Sequence, residues 1–161
     1  MTKTCIILIG VPGSGKSTWT TMHKMQKQHW HDTVLSTDKI IDEIALKYGY
    51  TYDQAFKELV GFAEKVMWDD ATQCAENGDN VIIDRTNLSV KSRKKFIDFF
   101  KGHGYTFEAV VFPTPEKDEW EHRLNSRKGK TIPKHVLGTM VQSLILPTAD
   151  EGFSKITVFS G

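Results

Sequence analysis

The stretch Cys5-Ile6-Ile7-Leu8-Ile9-Gly10-Val11-Pro12-Gly13-Ser14-Gly15-Lys16-Ser17-Thr18 decides how the rest of the chain is read. Its first five residues are an unbroken apolar run, the pattern of a strand buried on both faces. The remainder is a complete G-x-x-x-x-G-K-S phosphate-binding loop, or P-loop. The spacing has a chemical reason. Glycines let successive backbone N–H groups converge on phosphate oxygens, and the N-terminus of the following helix adds the positive end of its dipole. Gly13, Ser14, Gly15, Lys16, Ser17 and Thr18 are the expected nucleotide cradle. Lys16 is expected to reach the β- and γ-phosphates of ATP, and Ser17 to offer its hydroxyl to Mg²⁺. Trp19 to Met22 continue the helix.

Outward from the loop, Thr33 to Asp38 reads as a short buried strand with Asp38 at its C-terminal end, where open α/β sheets gather ligand-contacting groups. Asp38 has an alternative role as the N-cap of a helix beginning at Lys39. Apolar residues at helical spacing predict helices over Lys39 to Lys47 and Thr51 to Asn77. Gly78-Asp79-Asn80 ends the second, and Val81-Ile82-Ile83-Asp84 follows as a β-branched strand closing on a carboxylate. That is the place of a Walker-B-like acid. Asp84 either helps hold Mg²⁺ or caps the next helix.

That helix spans Ser89 to His103, with Val90, Phe96, Ile97, Phe99 and Phe100 inward and the basic residues outward. A strand over Phe107 to Phe112 comes next, then a helix over Glu116 to Arg127 and a flexible Lys128-Gly129-Lys130. A last helix from Pro133 through Leu144 and an alternating strand from Phe153 to Phe159 complete the pattern. The expected fold is α/β: a kinase-type P-loop NTPase, three layers around a parallel sheet of four to five strands, with a helical lid near residues 123–134.

The 161 residues suit one domain over 1–161. A net charge of +1 gives no strong electrostatic footprint for a long duplex, so a polyanion would be met locally. Lys91 to Lys95 and Arg123 to Lys134 are the basic stretches that could do this. Cys5 and Cys74 fall in an expected strand and helix, which points to buried free thiols and a reducing cytoplasm. The apolar run near the N-terminus is too short for a signal h-region or a membrane span.

A phosphate cradle alone does not name a reaction. GTPases need a base-reading N-K-x-D tetrad, which is absent, and AAA-type motors usually need more chain for their oligomeric lid. Small kinases need an acid beside the acceptor hydroxyl, a magnesium site and cations that neutralise the transferring phosphoryl. Asp38 is the candidate acid, Ser17 with Asp84 the metal side, and Arg123, Arg127 or Lys128 the cations of a closing lid.

The P-loop with Trp19, the Ser36-Thr37-Asp38 element, Val81-Ile82-Ile83-Asp84-Arg85-Thr86-Asn87-Leu88, Arg123 through Arg127, and Pro147-Thr148-x-x-Glu151-Gly152-Phe153 together resemble the kinase domain of 5′-hydroxyl polynucleotide kinases. The resemblance covers nearly the whole chain. It implies that Asp38 is the general base toward a nucleic-acid 5′-hydroxyl, that the D-x-T-N element brings Arg85, Thr86 and Asn87 to the substrate, and that Arg127 contacts the ATP phosphates. The family often writes Asn-Arg-Asp where this chain has Ser36-Thr37-Asp38. Some members also carry a phosphate-holding arginine three residues after the acid, where this chain has Ile41. The Asp-x-Asp-Gly-Thr signature of the partner phosphatase domain is absent, which implies a stand-alone kinase.

Three readings follow. The first is transfer of the ATP γ-phosphate to the 5′-hydroxyl of a DNA or RNA end. The second keeps the chemistry with a small hydroxylated acceptor, such as a nucleoside, nucleotide, sugar or antibiotic. The third is a nucleotide-dependent interaction module in which Asp38 is only a cap.

Overall fold

Alternate residues of the first strand, β1 (Lys3–Ile9), face two different layers, as strand geometry requires. Cys5, Ile7 and Ile9 pack with Met67, Phe96 and Phe100, whereas Ile6 and Leu8 pack with Ile82, Val110, Phe112 and Trp19. A strand that feeds two cores has no polar face, which is why its buried part, Cys5 to Ile9, is an unbroken apolar run. The computed structural model describes residues 2–160.

Four further strands complete the sheet: β2 (Thr33–Leu35), β3 (Val81–Ile83), β4 (Tyr105–Val111) and β5 (Phe153–Val158). Their order is β2-β3-β1-β4-β5, and every pairing is parallel. Parallel neighbours need crossovers, and helices supply them. α1 (Lys16–Met25) links β1 to β2; α2 (Thr37–Tyr48) and α3 (Tyr52–Asn77) link β2 to β3. α4 (Val90–Lys101) leads to β4, and α5 (Lys117–Asn125) with α6 (Lys134–Ser143) to β5. α3 and α4 cover one face through Met67, Ala71, Cys74, Phe96 and Phe100. α1 covers the other through Trp19, giving the three expected layers.

Local chemistry sets the helix limits. Ser36 caps α2 by accepting from the Lys39 backbone N–H, so α2 starts two residues before the expected Lys39. Thr51 and Gln54 form a capping box on α3, and Gly78, at φ 74°, ends it. Ser89 and Ser92 do the same for the start of α4. Both cysteines are free and buried.

The structure corrects the sequence reading of α4. Its basic residues are not all outward: Arg93 is completely buried, while Val90, expected inside, is 41% exposed. Arg93 Nε and Nη2 donate to the two carboxylate oxygens of Glu151 at 2.8 and 3.1 Å. Its Nη1 donates to the carbonyls of Asn87 and Ile145, both at 2.9 Å. A buried charge is tolerated only when paired and hydrogen-bonded, and this one is both. It joins three distant segments on one guanidinium: the loop after β3, the end of α6 and the turn before β5.

The segment after α5 is likewise not loose. Gly129 O accepts from Asp53 N at 2.9 Å, and the Thr131 N–H donates to the Asp53 carboxylate at 2.9 Å. Residues 129–131 are therefore docked on the first turn of α3.

Candidate active site

A parallel sheet brings the C-terminal ends of its strands to one edge, and here that edge carries the chemistry. β1 runs into the P-loop, and its neighbour β3 runs into Asp84. The Gly10 N–H donates to Thr86 O at 3.0 Å, and the Asp84 N–H to Leu35 O at 2.9 Å, so three strand ends are tied side by side. Above them opens a cleft of about 1560 Å³, lined by the P-loop, Asp38, Asp84 and the segment around Arg127.

The P-loop has the conformation its glycines permit. Gly13 and Gly15 sit at φ 75° and 108°, a region L side chains rarely occupy. A Cβ on Gly10 would come within 2.7 Å of Ser14 Oγ and 2.8 Å of Phe112 Cβ. Ser14 Oγ is buried without a hydrogen-bond partner among the described residues, and it lines the cleft. An orphaned hydroxyl inside a glycine cradle fits a phosphate oxygen.

Lys16 Nζ donates to two carbonyls of its own loop, Gly10 O at 2.6 Å and Val11 O at 3.2 Å. Burial pulls its ammonium down to about 8, and the carboxylates of Asp84 and Asp38 partly oppose that. Asp84 is the counterpart. Burial raises its carboxyl above the usual range, and Lys16 is the largest influence against that rise. Each charge is costly to bury alone, and each lessens the cost of the other. Ser17, on the first turn of α1, lines the same cleft. A serine hydroxyl and a carboxylate are hard oxygen donors of the kind Mg²⁺ takes, so the pair fits that ion.

Asp38 is neither at a strand end nor an N-cap, because β2 stops at Leu35 and Ser36 fills the cap. It stands in the first turn of α2 with its carboxylate in the cleft. Tyr52 donates its hydroxyl to Asp38 Oδ1 at 2.6 Å, and Lys130 Nζ lies 3.6 Å from Oδ2. The same Nζ lies 3.5 Å from Asp42 and 4.2 Å from the centre of the Tyr52 ring. Burial and the Asp38 hydrogen bond push the Tyr52 phenol up, so it remains a donor. The sequence reading missed Tyr52 and left Lys130 in a flexible stretch; these two hold the Asp38 carboxylate.

α5 covers the P-loop. Trp120 Nε1 donates to Pro12 O at 2.7 Å, and Arg123 Nη1 to Gly13 O at 3.2 Å. Arg123 Nε also donates to Glu119, so this guanidinium is partly engaged on its own helix. Arg127 lines the cleft, and its positive charge is felt at both Lys16 and Tyr52.

The D-x-T-N element divides. Thr86 lines the cleft. Arg85 does so too, yet its Nη1 donates to both Glu64 oxygens at 3.0 Å. Asn87, expected at the substrate, lies beneath the cleft and is a correction. It is 3% exposed at φ 48°, and its amide donates to Leu8 O at 2.7 Å. A side chain spent on the backbone of β1 is structural. Asp84 is no helix cap either, since Ser89 takes that position.

A family model described as an AAA domain, AAA_33, matches residues 5–147. A chain too short for the oligomeric lid of an AAA-type motor thus still matches an AAA-named family, whose model covers this single P-loop unit. Among curated proteins, the chain is 23% identical over 164 residues to human heterogeneous nuclear ribonucleoprotein U-like protein 2, covering 94% of this chain and 21% of that one. It spans about a fifth or less of the length of such relatives. Among solved structures, a candidate kinase from Chloroflexus aurantiacus superposes with a TM-score of 0.72 at 16% identity, covering 98% of this chain and 88% of that one. A chain of the PezAT toxin–antitoxin system of Streptococcus pneumoniae gives 0.70 at 18%, covering 99% and 68%. One from the Pnkp1/Rnl/Hen1 RNA repair complex gives 0.66 at 24%, covering 89% and 44%. At these identities the likeness is one of fold, and that fold is α/β, P-loop and kinase-like.

Proposed function

We propose that this chain, which belongs to the AAA domain family matched over residues 5–147, is an ATP-dependent kinase acting on the 5′-hydroxyl of a DNA or RNA end. The observation that carries the reading is the convergence of Lys16, Asp84 and Asp38 on one cleft, with the Asp38 carboxylate held by Tyr52. A carboxylate that only capped a helix would not be oriented from another helix.

In this reading the P-loop amides, Ser14, Lys16 and Thr18 bind the ATP phosphates, with Lys16 exchanging the Gly10 and Val11 carbonyls for phosphate oxygens. Ser17 and Asp84 would hold Mg²⁺, which neutralises phosphate charge when bound. Asp38 takes the proton of the attacking hydroxyl, and Arg127, with Arg123 behind it, balances charge on the transferring phosphoryl. Thr86 and Arg85 face the acceptor. α5 over the P-loop limits access of water, which would otherwise take the phosphoryl. The cleft is lined by eight lysines and arginines against four aspartates and glutamates, a local excess suited to a polyanion although the chain carries only +1. The RNA repair complex among the fold neighbours supports the same acceptor class.

A second reading, a small hydroxylated acceptor, is favoured by two observations. Ile41, at the position of the phosphate-holding arginine of some polynucleotide kinases, is completely buried between α2 and α3. Asp42 and Glu43 add negative charge to the acceptor wall.

Transfer of labelled γ-phosphate from ATP with Mg²⁺ to 5′-hydroxyl DNA and RNA oligonucleotides, 3′-mononucleotides and free nucleosides separates these. Labelled oligonucleotide ends, lost in Asp38→Asn while ATP still binds, support the first reading. Labelled nucleosides alone support the second. No transfer to any acceptor, with ATP bound normally, defeats the kinase assignment.

A further inference from the structure

At the end of α1 remote from the P-loop, two imidazole nitrogens gather on one carboxylate oxygen. His23 Nε2 lies 3.0 Å, and His29 Nδ1 2.9 Å, from the same oxygen of Asp32, Oδ2. All three donors lie within 4.8 Å of one another. The Asp32 side chain is 6% exposed, that of His23 10% and that of His29 27%, so the cluster is enclosed with one side open. The two imidazoles stack at 3.9 Å between centroids, and Trp19 stacks on His23 at 4.7 Å. None of the three lines the nucleotide cleft.

We propose that His23, His29 and Asp32 form a binding site for a divalent d-block cation of the Zn²⁺ type, separate from the magnesium side of the cleft. Two imidazole nitrogens with one carboxylate oxygen select such ions over Mg²⁺ or Ca²⁺, which prefer all-oxygen sets. Ligands about 2.0–2.1 Å from a tetrahedral metal stand ~3.3 Å apart, so the N···O separations open by a few tenths of an ångström on binding, while the two ring nitrogens, within 4.8 Å of each other, approach and the stacked rings turn to aim their in-plane lone pairs at the ion. Each ring must carry its proton on the outer nitrogen, leaving the lone pair that faces Asp32 free, and either tautomer is open to an imidazole. Water completes the coordination from the open side.

The ligands fall within ten residues, from the last turn of α1, across the 3-10 turn Lys27–His29, to the residue before β2. Little chain entropy is lost in closing so short a loop. The hydrogen bond from Asp32 N to His29 O at 3.1 Å already holds these two ligands in one turn. A metal there clips the end of the P-loop helix to the start of β2, the strand leading to Ser36 and Asp38. The inference does not depend on the proposed reaction.

The test uses the full chain freed of metal by a chelator and kept in Mg²⁺ buffer. Calorimetric titration with Zn²⁺ is expected to give one tight equivalent and a higher Tm, and Co²⁺ to give visible d–d absorption. His29→Gln, at the most exposed ligand, and Asp32→Asn are each expected to weaken Zn²⁺ binding at least about tenfold and abolish the Co²⁺ spectrum. His31→Gln, beside the cluster and outside it, is expected to change neither. If Asp32→Asn does not fold, His29→Gln carries the comparison. Identical titration of wild type and His29→Gln, or no Co²⁺ absorption in the wild type, overturns the site and leaves a hydrogen-bonded brace.

Discussion

Tyr52 and Asp38 stand on different helices, and the phenol of one donates to the carboxylate of the other at 2.6 Å. Tyr52 is the first residue of α3, fixed there by the Thr51–Gln54 capping box, and Asp38 is in the first turn of α2. Two helix starts therefore meet over the cleft. Lys130, stacked on the Tyr52 ring, joins them from the loop docked beyond α5. An unrestrained aspartate samples several rotamers, whereas this one is held from two sides, which suits the proposed general base.

Tyr52→Phe removes one hydrogen bond and keeps the ring beneath Lys130. If Tyr52 positions Asp38, kcat should fall about tenfold, about 1.4 kcal/mol of activation free energy, with ATP affinity unchanged. Asp38→Asn should cost about 10²- to 10⁴-fold in kcat, the usual worth of a general base. Steady-state kinetics beside equilibrium ATP binding checks both. A parallel loss of affinity in Tyr52→Phe would mean that the tyrosine supports the fold rather than the carboxylate.

What could be read from sequence was what lies close together in it. The P-loop is contiguous, its glycines and lysine are dictated by phosphate geometry, and the central strands β1 and β3 announce themselves by their apolar runs Cys5 to Ile9 and Val81 to Ile83. What could not be read depends on residues far apart. Tyr52 meets Asp38 14 positions away, and Arg93 meets Glu151 58 positions away. A basic run such as Lys91 to Lys95 looks like a solvated face. One signal was available: Phe96, Ile97 and Phe100 lie three, four and seven residues beyond Arg93, so it shares their inward stripe. Asn87 was misplaced for the opposite reason. A resemblance transfers a motif, but not the direction in which each of its side chains points.

Arg93→Ala should be among the most damaging single changes outside the cleft. It takes away the cation paired with Glu151, whose carboxylate keeps only the Thr148 N–H among the described residues, and leaves the Asn87 and Ile145 carbonyls without a donor, a loss of about 3–5 kcal/mol. Arg93→Lys keeps the charge but cannot make the two-pronged contact and should fall between. Urea unfolding measures both. A loss below about 1 kcal/mol for the alanine variant would show the ion pair to be nearly neutral in worth.

Two glycine substitutions should move stability in opposite directions. Gly129 sits at φ 71°, and a Cβ there would come 2.7 Å from Thr51 Cβ. Gly129→Ala should cost about 1–2 kcal/mol from backbone strain alone and, by lifting Lys130 from Tyr52, lower kcat. Gly138 lies inside α6 with open space around it, so Gly138→Ala should add about 0.5–1 kcal/mol. Thermal melts of the two variants test the pair, and an undamaged Gly129→Ala would show that residues 129–131 can leave α3 at no cost.

If Lys16 binds the ATP phosphates as proposed, ATP binding should depend on pH, with a sign set by the burial of Lys16. Its ammonium is pulled to about 8 in the ligand-free protein from an ordinary 10.5, and phosphate oxygens favour the charged form. Below about pH 8 the proton is already present, so binding should not vary through this group. Above it the site must take up a proton to bind, and ATP affinity should weaken toward tenfold per pH unit up to about pH 9.5. Stability moves the other way. The folded value lies below the unfolded one, so burying the charge opposes folding below about pH 8, and the penalty is relieved as pH climbs from there toward 10.5. Lys16→Arg stays charged throughout this range and should flatten the binding profile whatever its absolute affinity. Calorimetric titration with ATP between about pH 7 and 9.5 decides the matter; the same slope in wild type and Lys16→Arg would assign the proton to a group other than Lys16.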